Sequence, residues 1–521
     1  MQLTYTIIIV FYVLVMLGIG YWSMKRTKDV GDFFLGGRTL GPWMSAFAFG
    51  TTYFSSVIFI GYAGKLGWGF GLQTMWIVIG NTIIGTIMSW WILAGRTRDM
   101  TTRLGAITMP EFLRSRYDSK TMQVISAIAM FVFLVPYSAS ILIGLSYIFS
   151  MSMGISYENA LFFLTALTAI YLVMGGYFAV AISDFVRGIV EFGGVMLMVY
   201  LLAQKFGGFG AATAQLLSDP KVMMPGMGKI TVLGPAGMQL PTAGWVTILS
   251  LVLITSFGPW SLPQMVQKFY SIKSKAVITR AIVIAGTFSL FMAFGAYYSG
   301  SLTHLFYTGT NSLAANGLTN AGGPVYDKIM PHFINNAGLP MALVVIIVLM
   351  VFSASMSSLS SLVLVSSSAV AVDIYGAFVD RHANQKRTML LMRILCVVFI
   401  GASLFIALAK PTFIVNLMVI SWSSLAGVFL APYIYGLFWK GATRAGAFAG
   451  IITGLLCAIT LFFLWGVNGV PLAGVITMFT PMIVMPIVSW MTKPPSEELL
   501  AKAFGTGEEA NVIEEETEST I

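Results

Sequence analysis

The stretch Ala48–Ser56, AFGTTYFSS, places hydroxyl side chains and a glycine inside an apolar segment that is long enough to cross a bilayer. A second stretch, Ser256–Pro263, SFGPWSLP, has Gly258, Pro259 and Pro263 close together in another such segment. Proline removes a backbone donor and clashes with the preceding turn, so both segments are predicted to be interrupted helices. Ordinary kinks are the alternative, since glycine and proline are common in membrane helices.

The composition excludes several classes of protein. Of 521 residues, 57% are hydrophobic and 9% are charged, with a net charge of +9. A soluble domain carries about 25% charged residues, so this chain does not cover its surface in water as a cytoplasmic enzyme, a nucleic-acid binder or a disulfide scaffold would. The basic excess sits in short loops, and no nucleic-acid partner is expected. The sequence predicts an all-α polytopic membrane protein with the lipid bilayer as partner, and not an enzyme.

About thirteen stretches have the length and apolarity of a membrane span. They lie near 3–24, 41–62, 71–95, 123–149, 156–175, 182–204, 243–265, 276–300, 338–367, 387–408, 412–437, 444–466 and 471–491. The interrupted spans 2 and 7 are five apart, and such matching interruptions indicate the binding site of a transporter built from inverted repeats. We therefore expect five parts: a peripheral helix and loop (1–40), a first repeat with an external loop (41–242), a second repeat (243–443), two peripheral helices (444–492) and an acidic cytoplasmic tail (493–521).

Basic residues predict the orientation. Loops after odd-numbered spans hold about 21 Lys and Arg, against about 6 after even-numbered spans, which places the former in the cytoplasm and the N-terminus outside. The strongest contributors are Lys25, Arg26, Lys28, Arg38, Arg96, Arg98, Arg103, Arg114, Arg116, Lys120, Lys268, Lys273, Lys275 and Arg280.

The ninth span carries a row of hydroxyls in Ser353–Ser368, SASMSSLSSLVLVSSS. Ser353, Ser357, Ser360 and Ser361 fall on nearly one helical face. Close helix packing and back-bonding to the same helix are two ordinary uses of such a row. A third is to hold a bare hard cation such as Na⁺, together with carbonyl oxygens freed by a break in a facing helix.

Three motifs resemble the solute:sodium symporter family, nearest its bacterial proline/pantothenate-type branch. They are DFFLGGRTLGPW (Asp32–Trp43), GGYFAVAISDFVRG (Gly175–Gly188) and SMSSLSSLVLVSSSAVAVDIY (Ser355–Tyr375), and the likeness covers about residues 5–440. The resemblance implies a leucine-transporter-like five-plus-five inverted repeat and one sodium site. The implied ligands are the carbonyls of Thr51, Phe54 and Ala354 and the hydroxyls of Ser357 and Ser358. It also implies that Asp184 assists sodium release; a structural pairing of Asp184 with a nearby arginine is the alternative.

The chain departs from the proline branch at the solute site. Tyr53 stands where that branch has Asp, and Thr255 and Pro259 stand where it has Trp and Tyr, with Trp260 beside the latter. By position we expect a solute pocket between spans 2 and 7, lined by Tyr53, Ser56, Gln73, Thr255 and Trp260. Amino acid, short carboxylate, vitamin and sugar all stay open as substrates.

The resulting hypothesis is a sodium-coupled symporter that imports a small organic solute by alternating access through the plasma membrane. A proton-coupled transporter of the same fold, using Asp184 or Glu191, is one alternative. An ion channel is another, although no repeated filter segment is visible. The oligomeric state does not follow from the sequence.

Overall fold

The computed structural model describes residues 10–15, 18, 40–174, 177–218, 230–231, 234–235, 242–320, 323–379 and 385–505. This part of the chain is almost entirely helical. Its only ladders are two short antiparallel pairs, Ile230–Thr231 with Gly234–Pro235 and Thr319–Asn320 with Gly323–Pro324. Most of the predicted first span, the start of the Asp32–Trp43 motif and the end of the acidic tail lie outside the described residues.

Helices cover every predicted span from the second to the thirteenth. The earlier ones are Pro42–Tyr53, Val57–Gly67, Trp68–Phe70, Gly71–Thr74, Met75–Gly80, Asn81–Met88, Trp90–Ala94, Gly95–Leu104, Met109–Tyr117, Lys120–Met153, Tyr157–Met174, Tyr177–Gln204 and Phe209–Ser218. The later ones are Thr242–Phe257, Gly258–Trp260, Pro263–Tyr270, Ala276–Ser301, Thr303–Phe306, Tyr326–Asn336, Met341–Ser368, Ala369–Val379, Gln385–Ala409, Ile414–Phe438, Arg444–Trp490 and Glu497–Phe504.

Ten helices among the described residues are long and apolar enough to cross a membrane. The membrane-protein class and the helical fold are therefore confirmed, while the number thirteen stays a prediction. Two predicted connections are shorter than expected. Helical turns join spans 2 and 3, with a φ of 53° at Gly71, and Gly466, with a φ of 57°, marks the kink between spans 12 and 13.

Both predicted interruptions are confirmed. The first broken helix consists of Pro42–Tyr53 and Val57–Gly67, separated at Phe54, whose backbone is extended (φ −107°, ψ 130°). The second broken helix consists of Thr242–Phe257 and Pro263–Tyr270, separated by the turn Gly258–Trp260 and by Leu262 with ψ 123°. A break inside the membrane leaves backbone carbonyls without helical partners, which must find others.

The helix Met341–Ser368, called the serine helix below, lies at the centre of the molecule. Nearly all its residues from Val344 onward are buried. It packs against the first broken helix and against the helix Tyr177–Gln204, which carries Asp184. Gly188 permits the close approach of the helix Tyr177–Gln204 to the first broken helix, because a Cβ at Gly188 would overlap the Phe47 ring.

Candidate functional site

The serine helix faces the break in the first broken helix. The Ser358 hydroxyl lies 3.2 Å from the carbonyl oxygen of Thr51, 3.0 Å from that of Thr52 and 3.4 Å from that of Phe54. One turn of helix presents these carbonyls on one side, and the extended backbone at Phe54 turns the last of them to the same side. The predicted opposition of the break and the serine row is therefore present.

Ser357 adds a second hydroxyl beside the break. Its Oγ lies 2.8 Å from Oγ1 of Thr51, and both residues are fully buried. Ala354, whose carbonyl is implied as a ligand, is buried on the serine helix one turn before Ser358. The structure thus brings together four of the implied ligand residues, namely Thr51, Phe54, Ser357 and Ser358. The fifth, Ala354, lies on the serine helix with Ser357 and Ser358. Neutral oxygens gathered in this way suit a hard monovalent cation.

Asp184 connects this oxygen cluster to buried positive charges. Its Oδ1 accepts a hydrogen bond from Ser357 Oγ at 2.6 Å. Arg187 Nη1 lies 3.7 Å from Oδ1, and Lys268 Nζ lies 3.6 Å from Oδ2. The contact with Ser357 fits a role in sodium release, and the ion pair with Arg187 fits the structural alternative.

Lys268 is a buried residue, which the sequence analysis missed. It was assigned to a cytoplasmic loop, but the helix Pro263–Tyr270 extends past it and its side chain is 1% exposed. Arg116 was assigned to a loop in the same way and is also buried, where its guanidinium donates to the carbonyl oxygens of Gly436 and Trp439. The burial of these two side chains does not bear on the predicted orientation, which stays a prediction.

A small cavity lies beside the break, between the two broken helices and the helices Asn81–Met88, Lys120–Met153, Ala276–Ser301 and Ile414–Phe438. Half of its lining residues are aromatic, and none has a charged side chain: Tyr53, Phe54, Ser55, Val57, Ile58, Tyr62, Asn81, Tyr137, Thr255, Tyr297, Met418 and Trp422. The Tyr53 hydroxyl donates to the carbonyl oxygen of Thr255 at 2.6 Å and so links the two broken helices.

Of the residues predicted for the solute pocket, Tyr53 and Thr255 line this cavity, whereas Ser56, Gln73 and Trp260 are not among its lining residues. Ser56 donates from its hydroxyl to the Ile141 carbonyl at 2.8 Å. Trp260 donates from its indole nitrogen to the Ile84 carbonyl at 2.9 Å. Gln73 is buried, and neither atom of its amide has a hydrogen-bond partner within the described part of the chain.

Sequence reasoning missed most of the aromatic lining. Tyr62, Tyr137, Tyr297 and Trp422 lie on four different helices, and each is an aromatic residue in an apolar segment. Aromatic residues of that kind are normally core, so no local signal marks them. Asn81 could have been identified from the sequence, because a polar amide inside a predicted span requires a hydrogen-bond partner. In the structure its Oδ1 has no such partner among the described residues.

The model of the sodium:solute symporter family matches residues 33–454. This chain belongs to that family. Its activity is accordingly sodium-coupled symport of a small solute, carried out by a multi-pass membrane protein, and the resemblance seen in the sequence motifs is confirmed.

Similar proteins support the same assignment over nearly the whole length. The high-affinity proline transporter PutP of Bacillus subtilis is 29% identical over 450 residues, 85% of this chain and 89% of the relative. The sodium/proline symporter of Escherichia coli is 27% identical over 457 residues, 86% of each chain. A Na⁺-coupled sialic acid symporter, solved in a substrate-bound outward-open state, superposes with a TM-score of 0.73 at 19% identity, covering 94% of this chain and 98% of the other. This superposition shows that the fold is that of the leucine-transporter-like symporters.

Proposed function

We propose that this symporter uses one sodium ion to import a small zwitterion of the size and chemistry of proline. The observation that carries the proposal is the break at Phe54. Its carbonyl faces Ser358, and its ring lines the cavity beside Tyr53. One short segment therefore serves both the ion and the solute.

The sodium ligands in this proposal are the carbonyls of Thr51, Phe54 and Ala354 and the hydroxyls of Ser357 and Ser358. A dehydrated Na⁺ needs several oxygens, and this set supplies them without a charged ligand. Asp184 Oδ1 accepts a hydrogen bond from the Ser357 hydroxyl, with 2.6 Å between the two oxygens. That hydrogen bond leaves the lone pairs of Ser357 Oγ directed away from Asp184 and available to the ion, as outer partners of metal ligands commonly do.

The cavity supports a small, net neutral solute. No ionisable acid or base other than tyrosine lines it, so nothing there compensates a net charge on the solute. Tyrosine and tryptophan faces attract alkylated ammonium groups through cation–π interactions. Asn81 and Ser55 are polar groups available to the carboxylate end. Two similar proteins are named as transporters of proline, which is a zwitterion of this kind, and this agrees with the lining.

The predicted orientation supports import across the plasma membrane, with the N-terminus outside and the C-terminus in the cytoplasm. Two five-helix repeats, 41–242 and 243–443, would then rock about the two breaks. The membrane potential favours inward movement of Na⁺ by about 2.3 kcal/mol per charge per 100 mV.

Uptake into proteoliposomes tests the proposal. Radiolabelled L-proline should accumulate when a sodium gradient points inward, and more so with an inside-negative potential. Unlabelled betaine-like and proline-like zwitterions should compete, whereas sugars and dicarboxylates should not. Competition by a sugar or an anionic acid alone would reject the zwitterion while leaving sodium coupling intact.

Proton coupling is a second candidate because of Glu191. It is fully buried, and neither carboxylate oxygen has a hydrogen-bond partner within the described residues. Buried carboxylates in membrane helices often relay protons. Replacing external sodium by choline at fixed pH separates the two: sodium coupling predicts that uptake stops, and proton coupling predicts that it continues with a pH gradient.

A further inference from the structure

Lys268 holds a positive charge beside the proposed sodium site. Its Nζ donates to Ser361 Oγ at 3.1 Å and lies 3.6 Å from Asp184 Oδ2. The side chain is 1% exposed, and Asp184 is fully buried. A buried ammonium is costly unless oxygens surround and compensate it, so this position must be a favourable one for a monovalent cation.

The oxygens around the ammonium belong to the elements that form the sodium site. Asp184 also accepts from Ser357, and Ser361 Oγ also lies 3.0 Å from Thr52 Oγ1 on the first broken helix. A carboxylate and hydroxyls are hard oxygen ligands, the class that Na⁺ prefers. An ammonium group and a sodium ion therefore compete for the same kind of position.

The local charge balance depends on Lys268. Asp184, Arg187, Glu191 and Lys268 are all buried, and their formal charges cancel. Without Lys268 the cluster would carry a net negative charge in a low-dielectric surrounding, where a diffusible cation is strongly attracted.

We propose that the ammonium of Lys268 occupies a second cation position, formed by Asp184 and Ser361, and thereby keeps a second sodium ion out of the transporter. The inference rests on the proposed function and deepens it, since it sets the number of ions that move with each solute. A charge tethered to the protein is not transported, so each cycle carries one sodium ion.

Equilibrium binding of ²²Na⁺ to the purified full chain, without solute, tests the inference. The wild type should bind one ion. Lys268→Met should bind two, because the position formed by Asp184 and Ser361 is then open to a second ion. Lys268→Arg keeps the charge and should behave as the wild type. Lys273→Met, at an exposed lysine a few residues further on, is the matched control and should change nothing.

The outcomes separate this inference from the proposed function. The inference is overturned, and sodium coupling stands, if the wild type and Lys268→Met each bind one ion with half-saturating sodium concentrations within about twofold of each other. An interaction between two coupled ion sites would change the half-saturating concentration by at least about fivefold. If neither wild type nor Lys268→Met binds sodium, both proposals fail. Should Lys268→Met not survive purification, Lys268→Gln, which keeps a polar partner for Ser361, carries the same comparison.

Discussion

Removing the Ser358 hydroxyl tests the sodium site most directly. In Ser358→Ala the carbonyl oxygens of Thr51, Thr52 and Phe54 lose the hydroxyl that lies 3.0 to 3.4 Å from them. The bound ion loses one of its proposed oxygens at the same time. Leaving one buried polar group uncompensated costs about 1–3 kcal/mol, which corresponds to about a 5- to 150-fold change in an equilibrium constant.

The expected result is a rise of that size in the sodium concentration for half-maximal uptake. At saturating sodium, solute affinity should return close to the wild-type value, because the cavity lining is unchanged. Proline uptake measured against external sodium gives the first quantity. The melting temperature of the purified protein, measured against sodium concentration, gives a second value for sodium half-saturation that does not depend on the solute.

Ser360→Ala is the matched control. Ser360 is buried on the same helix, but its hydroxyl donates to the Met356 carbonyl of its own helix at 2.6 Å. Losing such a back-bond should shift sodium half-saturation by no more than about twofold. If Ser358→Ala shifts it no more than Ser360→Ala does, the serine row is packing and the ligand assignment is refuted.

Three further changes test the cavity, the helix Tyr326–Asn336 and the helix packing. Tyr53→Phe removes the hydroxyl that links the broken helices and should raise the half-saturation for proline uptake about fivefold or more; Tyr117→Phe, which loses an equally short bond to a carbonyl away from the cavity, should leave it unchanged. Burial raises the pKa of Asp327 to about 7. The wild-type protein should therefore lose stability as the pH rises from about 4 through about 7, and Asp327→Asn should abolish that loss. The melting temperature of Asp327→Asn relative to the wild type should thus be higher at about pH 8 than at about pH 4. Gly67→Ala forces a methyl group into the backbone of a neighbouring helix and should lower the melting temperature by several degrees, whereas Gly95→Ala, whose nearest neighbour would be 3.6 Å away, should not; equal melting temperatures would show that the Gly67 contact yields freely.

The parts of the site that the sequence predicted correctly are those set by local chemistry. Proline and glycine in Ser256–Pro263 prevent a continuous helix wherever the segment sits. The spacing of Ser353, Ser357 and Ser361 places their hydroxyls on one side of any helix. The opposition of this row and the break came from interpreting both as a cation site and from the ligands that the family resemblance implied.

The parts that could not be predicted depend on residues brought together from distant segments. Tyr137, Tyr297 and Trp422 become cavity lining only because three helices meet there, and helical periodicity does not distinguish a cavity wall from a core. Lys268 was misassigned for a different reason. A lysine just past an apolar stretch normally marks a loop, and only the fold brings it within 3.6 Å of a carboxylate more than eighty residues earlier in the chain.

If the proposed sodium ligands are right, the break at Phe54 couples the ion to the solute without a separate transmitting element. In the proposed scheme the ion binds the Phe54 carbonyl, while the rings of Phe54 and Tyr53, stacked with centroids 4.6 Å apart, form one wall of the cavity. Fixing the backbone of this segment fixes both rings, so sodium prepares the wall for the solute, and by linkage the solute strengthens sodium binding by the same factor. A substitution that loosens the break must therefore weaken both affinities together. A substitution at Tyr297, a lining residue on the helix Ala276–Ser301, must weaken solute binding and leave sodium binding in the absence of solute unaltered.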